Sequence, residues 1–151
     1  MKRAVSVLPW MFLGIFSYMY ARDFVHNMTA NDNWFTVEQI LVMDTVEGES
    51  PRLVVKRHVN KPFVAEWIVT TRRLESDGLT TACVGDGKSH YIPEARLPTD
   101  LNLDWWAGKQ CPLTPGRYQI DTKWIIEIPG YTGQRLVEAR SNIFTVAERR
   151  P

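Results

Sequence analysis

Residues 118–128 read YQIDTKWIIEI, and their alternation carries the fold class. Tyr118, Ile120, Trp124, Ile126 and Ile128 fall on one parity, while Gln119, Asp121, Lys123 and Glu127 fall on the other. Successive side chains of an extended chain point to opposite sides, so this segment reads as a strand with one face in a core and one in water. Downstream, Pro129, Gly130, Tyr131, Thr132 and Gly133 make a turn, and a final strand from about Leu136 to Val146 returns as a hairpin. Upstream, Phe63, Ala65, Trp67 and Val69 form a second inward set, with Glu66 and Thr70 outward. Leu53 and Val55 mark a shorter strand, and Phe35, Val37, Leu41 and Met43 share the inward parity of the first. Beyond Trp34 no segment keeps a helical period. Many short strands without intervening helices predict an all-β, antiparallel β-sandwich rather than a parallel α/β sheet.

At Leu113 to Trp124, LTPGRYQIDTKW, the chain resembles the entry to the penultimate strand of immunoglobulin-like and fibronectin-type domains. Pro115, Gly116 and Tyr118 match a turn followed by a tyrosine, and SNIFTV, Ser141 to Val146, resembles the closing strand. The resemblance implies that the Tyr118 hydroxyl satisfies a backbone group at the sandwich corner while its ring fills the core. It also implies a buried tryptophan at Trp67. The cysteines do not flank Trp67 as they do in antibody domains, so the usual bridge between sheets is absent.

Ala4 to Ala21, AVSVLPWMFLGIFSYMYA, carries no charge over eighteen residues. As a helix it would cover roughly 27 Å, close to the bilayer's hydrocarbon core. Trp10, Phe12, Leu13, Ile15 and Phe16 are its expected membrane-facing residues, and Tyr18 and Tyr20 suit the far interface. Lys2 and Arg3 precede the run, which places the N-terminus in the cytoplasm and the remainder outside it, in the periplasm of a Gram-negative cell. The alternative is a cleaved secretory signal, although Met19 and Tyr20 are bulky where a cleavage site wants small residues. The expected division is a transmembrane signal anchor over 1–23, a polar linker over 24–33, the sandwich over 34–147 and a tail over 148–151. A short anchor with one such domain also resembles small membrane proteins of bacterial phages and prophages.

The 151 residues are about one domain's worth, and 44% hydrophobic content with six tryptophans argues for a packed core. A formal charge of +1, with no basic stripe, disfavours nucleic acid. Cys83 and Cys111 are the only cysteines, and an even count in an exported domain predicts a disulfide; a metal site lacks nearby histidine ligands. The segment they enclose ends in LNLDWW. Adjacent residues of a strand face opposite ways, so Trp105 and Trp106 are expected to divide between core and solvent, and they are the candidate binding residues.

No catalytic constellation, metal spacing or cofactor loop is legible. Gly87, Lys88 and Ser89 imitate the end of a phosphate-binding loop, but Ala82 stands where a glycine is required and no helix follows. His26, His58 and His90 are scattered, and Asp77, Asp86, Asp100 and Asp104 sit at turn-like positions. The expectation is therefore no enzyme and no cofactor. A membrane-held module that recognises a protein partner is the leading function, with a cell-wall glycan module using an exposed tryptophan as the alternative.

Overall fold

A computed structural model describes residues 8–27, 34–93, 98–130 and 133–150. Helix α1 (Leu8–Asn27) is followed by β1 (Phe35–Val42), β2 (Thr45–Val46), β3 (Arg52–Val59), β4 (Phe63–Glu75), β5 (Gly78–Tyr91) and β6 (Asp100–Asn102). A short helix α2 (Leu103–Ala107) precedes β7 (Gly116–Glu127), β8 (Gln134–Arg140) and β9 (Phe144–Ala147). The fold is all-β beyond α1, as the alternation predicts, except for the single turn of α2.

The strands make two sheets, one of order β1-β3-β6 and a larger one of order β2-β9-β7-β4-β5, with β8 also paired to β7. All pairings are antiparallel except β2 with β9. The inner faces meet through rings: Phe35 of the small sheet lies 5.5 Å from Phe63 and 5.2 Å from Trp124 of the large one. The inward set read from residues 118–128 is buried throughout, and Thr122 joins it. Tyr118 is 1% exposed, and its hydroxyl donates to Thr114 O at 2.7 Å. Its ring stacks on Phe144.

Three strand readings need correction. A β-bulge between Val37 and Gln39 inserts one residue into β1 and reverses the parity beyond it, so Ile40 and Val42 are buried while Leu41 and Met43 face out. Trp67 keeps its inward parity and packs against the core but is only half-buried, and the fully buried tryptophan is its cross-strand partner Trp124. The final strand is two: at Ser141 the chain steps sideways, with the Ser141 hydroxyl accepting from Ile120 N at 2.9 Å and Asn142 bonding both backbone groups of Val42.

The expected transmembrane span is not found: among the described residues no helix is long and apolar enough to cross a membrane. The described helix starts at Leu8, and its uncharged part, Leu8 to Ala21, covers about 21 Å before Arg22 and Asp23. That falls short of a hydrocarbon core of about 30 Å. Lys2, Arg3 and Ala4 to Val7 lie outside the described residues. The polar linker also begins later than expected, because Phe24 to Asn27 continue α1; residues 28–33 lie outside the description. Trp10, Phe12, Leu13, Ile15 and Phe16 are all exposed, and so are Tyr18, Tyr20 and Phe24. The helix therefore shows apolar side chains on every side and buries none of them against the sandwich.

Candidate functional site

The exposed tryptophan stands on α2, and each end of that turn has a stated cause. Asn102 is extended (φ −113°, ψ 157°), and its Oδ1 accepts from Trp105 N at 2.8 Å, which caps the first turn. Gly108 takes the left-handed conformation (φ 67°) that closes the helix, its N–H reaching the carbonyls of Asp104 and Trp105. The small sheet and its turn hold the start: Leu103 N donates to Pro51 O and Asp104 N to Ser50 Oγ. Asp104 Oδ1 accepts from Cys111 N at 2.8 Å, which folds the following loop back on the helix.

Neighbouring residues of a helix point about 100° apart. Leu103, Trp106 and Ala107 consequently enter the core, where the Trp106 ring lies 6.3 Å from that of Trp124. Trp105 is turned outward and is 62% exposed. The two candidate binding residues thus separate, through a helical turn rather than a strand, and only Trp105 offers a ring to solvent.

Under α2 the large sheet gives way to admit it. A Cβ built on Gly85 would stand 2.3 Å from the Ala107 backbone, so only glycine permits this approach. Two residues earlier in β5, Cys83 is bonded to Cys111, with 5.7 Å between their Cα atoms. The predicted disulfide therefore closes across the segment that carries Trp105. In the chain-entropy view a loop of this size is worth about 3–4 kcal/mol.

A shallow groove of about 170 Å³ is lined by Gly48, Glu49, Ser50, Asp104, Gln110 and the Cys111 region. Through Glu49 and Ser50 it continues into an open cleft of about 480 Å³ bordered by Met43, Asp44 and Arg52. The carboxylates here have structural partners: Asp44 accepts from Thr145 N at 2.7 Å, and Glu49 pairs with Arg149 at 3.2 Å.

Other charged groups lie elsewhere. On the outer face of the large sheet Asp121 pairs with Arg72 and Arg140 at 2.9 and 2.6 Å, and Lys123 pairs with Glu138. Lys88 bonds Glu127 and Glu66, and the hydrogen bond to Glu127 foremost holds its ammonium above the usual lysine range. Gly87, Lys88 and Ser89 lie within β5 and open no helix. His58 contacts Glu38, His90 is exposed on β5 and His26 falls on α1. Among the described residues no three metal-capable side chains come together. Inside the sandwich, burial pushes the Tyr91 hydroxyl above its ordinary range, partly offset by the Arg57 guanidinium; burial lowers Arg57 in turn.

Asn102, Ser50 and Gly85, which frame Trp105, escaped the reading of the sequence. An asparagine six residues before a glycine, flanking LDWWA, is a legible pair of helix caps. Nothing local marks Ser50 or Gly85, whose roles depend on chain folded from elsewhere. Comparison with family models, with curated proteins and with solved structures finds no match for this chain.

Proposed function

We propose that this chain is a non-catalytic binding module of immunoglobulin-like architecture, held at a membrane outside the cytoplasm and contacting its ligand through Trp105. The single observation that carries the reading is the pairing of 62% exposure at Trp105 with a rigid mount made of caps, a disulfide and the Gly85 seat. A large ring kept in water costs solvation, and a ring already fixed in place loses little further entropy on binding. The sheet orders, the parallel β2–β9 pairing and the Tyr118 corner support the immunoglobulin-like assignment.

Apolar residues exposed all around α1 support membrane association, since lipid is the medium in which such a surface costs nothing. Register bears on the side from which a ligand would approach in this reading. Phe35 and Val59 pair at the end of the small sheet nearest α1 in the chain, while Arg52 and Asn102 pair at the other end, where α2 begins. The helix that carries Trp105 therefore starts at the end of the small sheet opposite the one where β1 begins.

For the ligand, a single planar ring held 62% exposed suits stacking on a sugar ring. The reading that a protein partner is recognised is favoured by a different surface, the outward Leu41 and Met43 on the small sheet. Co-sedimentation of the full chain, solubilised in detergent, with purified insoluble cell-wall glycan tests the first reading. Wild type is expected in the pellet, and Trp105→Ala in the supernatant with an unchanged melting temperature. Equal pelleting of both, or pelleting of neither, counts against it.

A further inference from the structure

Register gathers three strand ends of the large sheet at one end of the sandwich. Phe63 pairs with Tyr91 and Val64 with Glu127, so the antiparallel pairings continued past Phe63 bring Lys61 and Pro62, Ile92 and Pro93, and Pro129 and Gly130 into one row. Asn60 N donates to Trp34 O, which adds the start of β1 to the same end. Arg22 is the first charge after the uncharged run of α1, and its guanidinium donates to Gly130 O. The helix therefore meets the sandwich at this row.

All six residues of the row are exposed, Ile92 by 47%, and Lys61 is the one charge among them. Its ammonium lies 5.0 Å from the centre of the half-buried Trp34 ring. A cation on an apolar stem beside an indole suits the boundary between hydrocarbon and headgroups, where the stem and ring meet acyl chains and the charge stays with water and phosphate. On α1, Phe24 and Val25 carry the exposed apolar surface past Arg22 and Asp23 to the same end. With the uncharged part of α1 in lipid, Arg22 stands among the headgroups, and the row bonded to it stands there too. We propose that this end of the sandwich rests on the bilayer surface, with Ile92 set into the interface and Lys61 among the lipid phosphates. The inference rests on the reading of α1 as membrane-associated.

The full chain reconstituted into vesicles of phosphatidylcholine and phosphatidylglycerol tests the contact, with a nitroxide on part of the choline headgroups. Ile92→Cys and Leu79→Cys, each labelled with a fluorophore at the new thiol without reduction, set one probe in the row and one roughly 40 Å away along β5. Strong quenching is expected at position 92 and little at position 79. Adding Lys61→Gln to Ile92→Cys is expected to lower the ratio of docked to undocked sandwich about fivefold, the worth of one basic residue at an anionic surface. Flotation of the same vesicles reports on α1 separately. A chain that floats with them while the two probes are quenched alike, or neither is quenched, overturns the docking and leaves the membrane reading of α1 in place. A chain that does not float removes both.

Discussion

Tyr118 shows how much one side chain does here. Its ring lies in the core against Phe144, and its hydroxyl closes the turn that begins β7. Tyr118→Phe keeps the ring and loses the bond to Thr114 O, so chemical denaturation should register about 1 kcal/mol. Tyr118→Ala should cost about 3–5 kcal/mol, since it also opens a cavity. Tyr91 gives a pH signature. Its hydroxyl titrates higher in the folded chain than in the unfolded one, chiefly through burial, so the folded state holds that proton more tightly. The resulting stabilisation is complete below the unfolded value of about 10 and is lost as pH rises through the folded value. Melting temperatures of wild type and Tyr91→Phe, followed upward from pH 9, should therefore show the steeper alkaline decline in wild type.

At the scale of elements, β7 was the most legible because both its faces keep their roles along the whole strand, and Leu53 with Val55 in β3 followed for the same reason. In β1 the alternation misleads beyond Val37 because a bulge is a property of the pairing with β3, and nothing in FTVEQILV announces it. The site was legible in outline: the disulfide and the division of Trp105 from Trp106 were both anticipated, but as strand geometry. The helical turn depends on Ser50 and Pro51 arriving from the opposite side of the chain, beyond the reach of local pattern. Gly85→Ala probes that dependence. The added methyl falls on the Ala107 backbone, so α2 must shift, and the domain should lose about 1–3 kcal/mol of stability with a change in Trp105 fluorescence. The two tryptophans should also separate by thermal melting. Trp106→Ala should cost about 3–5 kcal/mol, and Trp105→Ala should stay within about 0.5 kcal/mol of wild type.

For the whole molecule the question is where it resides and in what redox state. The proposed residence, an oxidising compartment beside a membrane, rests on a sandwich closed by a disulfide and on a helix that buries none of its described apolar side chains in the fold. The staple bears on function too, because it spans the segment that mounts Trp105 and joins it to β5. Without the bond, α2 keeps its caps, the hydrogen bonds to Ser50 and Pro51 and the contacts of Leu103, Trp106 and Ala107, but loses its covalent tie to β5. One measurement addresses residence and mounting together: cells making the full chain are alkylated before lysis, membranes are separated, and peptides are analysed by mass spectrometry without reduction. The account predicts the Cys83 peptide linked to the Cys111 peptide in the membrane fraction. Two alkylated thiols, or a linked pair found in the soluble fraction alone, would contradict it.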